Sequence, residues 1–282
     1  MSLYSDELTP SAQDPRDAVL ALRAEIAKVV VGQEGTLSGL VAALLVRGHV
    51  LLEGVPGVAK TLLVKTMAHA LDLDFKRVQF TPDLMPSDVT GQLVLDVDGG
   101  GRGFTFREGP IFTNLFLADE INRTPPKTQA ALLEAMEERQ VTAEGLAREL
   151  PDPFIVIATE NPVEQEGTYP LPEAQLDRFM FNILVGYPTA EEEEQIIRQV
   201  TGTAKPVVSK LLDARTVQEL QQVVRRVPVA DHVINYAATL VRASRPKEKE
   251  APDFVKEMVG WGALPTKCRC PNMKRSRPIT NA

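Results

Sequence analysis

The chain has 282 residues, of which 44% are apolar and 24% charged, and its net charge is −7. These values are ordinary for a globular protein of about two domains, and no apolar run approaches the roughly 18 residues that a membrane span requires. The polar start lacks a signal peptide pattern, so we expect a cytoplasmic protein without a membrane span. The acidity argues against binding nucleic acid over a broad surface. The only cysteines, Cys268 and Cys270, are too few for a disulfide framework or a complete zinc site.

The first elements in the sequence are two helices and a strand. We expect residues 1–13 to be disordered, after which Asp14 and Pro15 begin a helix with apolar residues at helical spacing. Residues 37–46 predict a second, mostly buried helix, and residues 50–52 predict a buried strand.

A glycine-containing loop follows this strand and leads into the next predicted helix. In such a setting the backbone N–H groups and the positive helix end face an anion, a lysine pairs with phosphates, and a threonine hydroxyl holds Mg²⁺. The general pattern has glycine where this chain has Ala59, and a simple turn that ends in Lys-Thr is the alternative. The predicted nucleotide-binding residues are Gly54, Val55, Pro56, Gly57, Val58, Ala59, Lys60, Thr61 and Leu62, with Thr61 also a ligand of the metal.

The next stretch alternates helix and strand and contains an inserted hairpin. Residues 62–71 predict a helix, residues 75–80 a short strand and residues 81–88 a loop that contains prolines. Residues 92–96 and 104–107, on either side of the glycines at 99–101, predict a hairpin within 92–107.

Two acids follow the next predicted strand, residues 114–118. Asp119 could hold Mg²⁺ through its water shell, and Glu120 could orient or deprotonate an attacking water. Two solvated acids at a strand end are the alternative; a phosphate loop earlier in the chain favours a nucleotide hydrolase.

Two further polar residues are candidates for the same chemistry. Asn161 follows the predicted strand 154–158 and could bind a terminal phosphate or the water, or merely begin an Asn-Pro turn. Arg178 precedes the strand predicted over 180–185 and could pair locally with Asp177 or Glu173, or stabilise phosphoryl charge on a neighbouring subunit. Strands that alternate with helices predict an α/β fold whose parallel sheet is flanked by helices, with the ligand at the carboxyl ends of the strands.

The pattern changes near Thr189. Residues 191–200, 217–227 and 231–244 predict three helices without intervening strands. We therefore expect an α/β core over 14–187, a small all-α domain over 188–263 and an atypical basic tail over 264–282.

In combination these motifs resemble the MoxR family of AAA+ ATPases over residues 14–263. The segments that carry the resemblance are 54–61 (Walker A, including Ala59), 119–123 (Walker B), 158–162 (sensor 1), 173–179 (arginine finger), the hairpin within 92–107, and the adenine-lining pair Gly32 and Gln33. The resemblance implies an ATP-hydrolysing, chaperone-like protein that uses Mg²⁺, in which Glu120, Asn161 and a neighbour's Arg178 are catalytic. It also implies that Arg123 contacts nucleotide or a neighbour. The expected partners are further copies of the chain in a ring, typically a hexamer, and a von Willebrand factor A domain protein as client.

After Ala263 the sequence departs from the family pattern. The expected sensor 2 arginine is not found, and residues 264–282 contain five basic and no acidic residues. We expect these residues not to be native lid, which would impair hydrolysis or assembly; a basic patch for an acidic partner is the alternative. Two other functions remain open: a nucleotide-dependent binding module with weak hydrolysis, and a DNA-remodelling AAA+ motor.

Overall fold

The structure is a computed structural model and describes residues 4–8, 14–55, 57–96, 103–143, 145–162, 167–202, 206–260 and 262. Three predicted features lie outside these residues: Pro56, the glycine turn at 99–101 and the tail at 264–282. Within the described part, no helix has the length and apolar character to cross a membrane.

Strands make up the centre of the fold. In chain order they are β1 (Tyr4–Leu8), β2 (His49–Glu53), β3 (Phe75–Gln79), β4 (Gly91–Asp96), β5 (Gly103–Glu108), β6 (Leu115–Asp119), β7 (Gln140–Ala143), β8 (Leu146–Glu149), β9 (Ile155–Glu160), β10 (Phe179–Leu184) and β11 (Val208–Lys210).

Helices connect and follow these strands. They are α1 (Pro15–Ala27), α2 (Glu34–Leu45), α3 (Lys60–Ala70), α4 (Pro86–Thr90), α5 (Pro126–Glu138), α6 (Glu173–Leu176), α7 (Ala190–Thr201), α8 (Ala214–Arg226), α9 (Asp231–Ala243) and α10 (Asp253–Met258), with a 3₁₀ turn at Ile121–Arg123.

Five parallel strands form the main sheet, in the order β10-β2-β9-β6-β3. The three inner strands are almost entirely buried, whereas β3 and β10 at the edges are partly exposed. Each inner strand contains a continuous apolar run, as expected for a strand covered on both faces, whereas the edge strand β3 includes Lys76, Arg77 and Gln79. The predicted parallel sheet and all five of its strands are confirmed.

Helices cover both faces of the sheet. Val50 and Leu52 share a core with α1, α2 and α3, whereas Leu51 between them shares a second core with α4 and α5. Successive side chains of a strand point to opposite faces, so one apolar run supplies both cores. This layering leaves the carboxyl ends of the strands accessible between the helices.

The predicted hairpin is present, since β4 and β5 pair antiparallel with Gly91 opposite Glu108. A second hairpin, β7 with β8, was not predicted. The last residues of the loop expected over 81–88 are helical instead, because α4 begins at Pro86. Proline is suited to the first turn of a helix.

The expected disorder of residues 1–13 is wrong at Tyr4–Leu8, which form β1 and pair in parallel with β11. β11 also interrupts the stretch after Thr189, in which sequence analysis expected helices alone. Each of these strands is paired by a segment about 200 residues away, and local patterns carry no information about such pairing.

The chain divides into two compact units, one up to Arg225 and one from Arg226 onward. α7 and nearly all of α8 thus belong to the same unit as the sheet, whereas the helical domain was expected from residue 188. In the second unit the described elements are α9 and α10.

Candidate functional site

A cleft of about 320 Å³ lies where β2, β6 and β9 end. Its position agrees with the rule that ligands of open α/β sheets bind at the carboxyl ends of the strands. The residues that line it are Gly57, Ala59, Lys60, Thr61, Leu62, Arg77, Gln79, Asp119, Glu120, Thr159 and Asn161.

The phosphate loop leads into α3 on one side of the cleft. α3 begins at Lys60, and its N-cap residue, Ala59, makes no side-chain capping bond. The N-cap therefore provides no side-chain acceptor for the N–H groups of the first turn, whose residues line the cleft, and the helix dipole adds positive potential there. Ala59 is left-handed, with φ 59° and ψ 19°, a conformation that costs a non-glycine residue about 1–2 kcal/mol. Strain of this kind is typical of ligand-binding loops.

The start of the loop requires glycine for space. A Cβ on Gly54 would lie 2.4 Å from the carbonyl oxygen of Val185, just after β10. The loop therefore begins in close contact with the end of β10.

Lys60 lines the cleft. Its Nζ donates to the carbonyl oxygen of Gly54 at 2.6 Å, which folds the side chain over the loop. Burial lowers the pKa of Lys60, and the nearby charges of Asp119 and Glu120 oppose this effect. The cation thus lies between the phosphate loop and the two acids.

Asp119 is held by two neighbouring strands. Its Oδ1 accepts from the Thr159 hydroxyl at 2.6 Å, and its Oδ2 accepts from Arg77 Nε at 2.9 Å and Nη2 at 2.6 Å. Only 13% of the Asp119 side chain is exposed. Both carboxylate oxygens are thereby oriented at the end of β6.

Glu120 directly follows β6 and is also left-handed, with φ 57°. Its N–H donates to Thr159 Oγ1 at 2.8 Å, so one threonine hydroxyl contacts both consecutive acids. Its Oε2 accepts from Gln79 Nε2 at 2.6 Å and from Arg123 Nη1 at 2.9 Å. These contacts fix the carboxylate of Glu120 in the lining of the cleft.

The cleft contains most of the residues predicted from the sequence. Asn161 lines it just after β9 and is 5% exposed. Val58 packs in the core beneath the loop, and Val55 packs partly against the same core. The roles assigned to these residues remain predictions.

Arg178 is placed differently. It does not line the cleft of its own chain, and its guanidinium pairs with Glu137 of α5 through Nε at 2.8 Å and Nη2 at 2.6 Å. Sequence analysis had named only acids close in the chain as local partners. With 36% of its side chain exposed, Arg178 is accessible to a neighbouring molecule.

Gly32 and Gln33 also lie outside the cleft lining. Gly32 has φ 75°, and a Cβ there would lie 2.4 Å from the side-chain carbon Cδ of Glu192 in α7. Gln33 is the N-cap residue of α2 without a side-chain capping bond, and its side chain accepts from the Thr36 hydroxyl at 2.9 Å. Gly32 therefore lies against α7, and the contact of this pair with a base remains a prediction.

Sequence analysis assigned no role to three residues that the fold brings to the acids: Arg77, Gln79 and Thr159. Arg77 and Gln79 lie two residues apart on β3, with Gln79 in register with Asp119 of β6. Side chains two apart on a strand share a face. Two polar residues at this spacing on a strand could have indicated that Arg77 and Gln79 belong to the site. That inference requires the strand order, which places β3 beside β6.

Comparison with known proteins gives three kinds of match. Residues 49–181 match the family described as "ATPase family associated with various cellular activities (AAA)". The chain is 45% identical to "Chaperone MoxR1" of Mycobacterium tuberculosis, covering 86% of this chain and 63% of that protein. It is 49% identical to "Uncharacterized protein YeaC" of Bacillus subtilis, covering 78% of this chain and 68% of that protein.

A solved structure also matches this chain. A putative ATPase from Cytophaga hutchinsonii superposes with a TM-score of 0.81 at 43% identity, covering 89% of this chain and 76% of that one. The chain spans about two thirds of the length of the two curated relatives, the proteins of Mycobacterium tuberculosis and Bacillus subtilis. The chain belongs to the MoxR family of AAA+ ATPases.

Proposed function

We propose that this protein binds ATP with Mg²⁺ in the cleft, hydrolyses it, and uses the energy to remodel partner proteins. The observation that carries the proposal is the convergence of a phosphate loop with Lys60, two oriented acids and Asn161 around one cleft. A loop, a cation, a metal-holding acid and a base are the groups that phosphoryl transfer to water requires.

The cleft suits a nucleotide phosphate. The uncapped start of α3 offers N–H donors, and Lys60 would exchange its bond to the Gly54 carbonyl for phosphate oxygens. The adenine contacts would come from the segment that contains Gly32 and Gln33.

The donor set also suits Mg²⁺. Among the described residues no group of three or more His, Cys, Asp or Glu could hold a metal. This fits an ion that is held by one or two protein oxygens, water and substrate phosphates. Thr61 and Asp119 would provide the protein oxygens, and the bound ion would neutralise charge on the phosphates.

The chain's own residues then perform the hydrolysis. Glu120 orients the water and accepts its proton, held in place by Gln79 and Arg123. Asn161 binds the water or the terminal phosphate. Arg178 stabilises the transition-state charge in the cleft of an adjacent copy, a role supported by its position outside its own cleft.

The assembly follows from the same residue. If Arg178 acts on a neighbour, each site is complete only in an oligomer, for which we propose a hexameric ring. By the family's pattern, the client is a protein with a von Willebrand factor A domain and the compartment is the cytoplasm. A DNA-remodelling role is less well supported because the chain carries a net charge of −7.

Two measurements on the purified protein test this function. Binding of a fluorescent ATP analogue should be lost in Lys60→Ala, and wild type should release phosphate steadily from MgATP. Nucleotide binding without phosphate release above background would instead indicate the alternative, a nucleotide-dependent binding module. No nucleotide binding by wild type would contradict both.

A further inference from the structure

A second cation in the cleft, Arg77, contacts the acid that is expected to hold the metal. Arg77 Nε and Nη2 both donate to Asp119 Oδ2, at 2.9 and 2.6 Å, while the Thr159 hydroxyl occupies Oδ1. Both oxygens of Asp119 therefore already have a donor. A divalent ion that binds through Oδ2, or a water that it carries there, would share or displace the N–H groups of Arg77.

We propose that Arg77 is a positioning residue that neutralises Asp119 before the metal binds and competes with Mg²⁺ for it. The inference rests on the proposed function, since it concerns the ion that accompanies the nucleotide. Arginine suits the role because it stays protonated and presents a fork of donors to one carboxylate.

The two partners differ in how easily they can move. Asp119 follows four buried residues of an inner strand, with 13% of its side chain exposed. Arg77 lies on the edge strand β3, and 46% of its side chain is exposed. Long exposed side chains change rotamer readily. Arg77 rather than Asp119 is therefore the partner that yields.

The same arginine also connects Asp119 to the catalytic base. Its Nη2 donates to Gln79 Oε1 at 2.9 Å, and Gln79 Nε2 donates to Glu120 Oε2 at 2.6 Å. When Arg77 leaves Asp119, Gln79 loses the contact that orients its amide. Binding of the metal at Asp119 would in this way change the hydrogen bond that Gln79 donates to Glu120.

The test is the Mg²⁺ dependence of nucleotide binding, which needs no turnover. The affinity of a fluorescent ADP analogue is measured in EDTA and over a Mg²⁺ titration for wild type, Arg77→Gln and Arg77→Lys. Lys76→Gln is the matched control: it removes the same charge from the adjacent, exposed position, whose ammonium contacts the Phe112 carbonyl at 3.4 Å.

Arg77→Gln should lower the half-saturating Mg²⁺ concentration about tenfold, which corresponds to about 1.4 kcal/mol. Arg77→Lys should lower it less, because a lysine makes fewer bonds to one carboxylate. Lys76→Gln should leave it unchanged, and affinity in EDTA should stay within about twofold for all variants.

Three outcomes separate the possibilities. An unchanged Mg²⁺ dependence in both Arg77 variants overturns the competition. An equal loss of affinity in EDTA and in Mg²⁺ also overturns it and makes Arg77 a ligand of the phosphates. Failure of wild type to bind nucleotide rejects the proposed function itself.

Discussion

His49 is buried at the start of β2 and provides a sharp test of the fold. Its Nδ1 accepts from the Val156 N–H at 2.9 Å, so its Nε2 carries the hydrogen and donates to the Met136 carbonyl at 3.1 Å. The ring also packs edge to face against Phe154, with centroids 5.8 Å apart. A neutral imidazole thus joins the last turns of α5 to the central sheet.

The environment strongly disfavours the charged ring. Burial, together with the nearby positive charge of Arg139, lowers the pKa of His49 from 6.5 to about 4, although the bond to Met136 acts in the opposite direction. Between these values the unfolded chain binds a proton that the native protein does not bind. The contribution of His49 to the free energy of unfolding is therefore largest above pH 6.5 and falls as the pH drops towards 4.

The magnitude follows from the size of this pKa difference. One pKa unit corresponds to about 1.4 kcal/mol, so the complete loss is roughly 3 kcal/mol, and the part lost between pH 7.5 and pH 5 is roughly 2 kcal/mol. Urea denaturation at these two pH values measures the total change, to which acidic groups also contribute. The His49→Asn variant retains a hydrogen-bond acceptor but does not titrate, so the difference between its pH dependence and that of wild type isolates His49.

Nuclear magnetic resonance of ¹⁵N-labelled histidine provides an independent measurement. The chain has three histidines, and the His49 signal should keep the pattern of the neutral Nε2–H form well below pH 6. The reasoning would be refuted if His49 titrated near 6.5. It would equally be refuted if His49→Asn and wild type lost the same free energy of unfolding between pH 7.5 and pH 5.

Two predictions concern the loop and the acids. Ala59→Gly should raise the free energy of unfolding by about 0.5–1 kcal/mol, since glycine adopts the left-handed conformation without strain; the same change at exposed Ala42 within α2 should lower it by about 1 kcal/mol. Equal signs in thermal unfolding of the two variants would contradict this. Thr159→Val should cost about 1–3 kcal/mol in urea denaturation because Asp119 and the Glu120 N–H lose their shared partner. Thr159→Ser retains the hydroxyl and should therefore cost much less free energy of unfolding than Thr159→Val. Equal losses in the two variants would show that the hydroxyl has no such role.

Much of the fold could be predicted because each inner strand contains an uninterrupted apolar run. β2, β6 and β9 are buried on both faces, and their runs of three or four apolar residues mark their positions in the sequence. The acids of the site were found for the same reason, since Asp119 ends the buried strand β6 and Glu120 directly follows it.

The remaining features depend on contacts between distant segments. β1 exists because β11 pairs with it, and Arg77 reaches Asp119 only because β3 lies beside β6. The partner of Arg178, Glu137, lies 41 residues away on α5. Strand order and helix packing determine such pairs, and neither has a local signature.

The central claim is that Glu120 activates water for hydrolysis of ATP in this cleft. Removing the base should spare binding, because catalysis of this kind consists mainly of positioning and electrostatics. We therefore predict that Glu120→Gln binds a fluorescent ATP analogue with wild-type affinity, within about threefold, while steady-state phosphate release from MgATP falls at least about a hundredfold. Full turnover by Glu120→Gln would contradict the account.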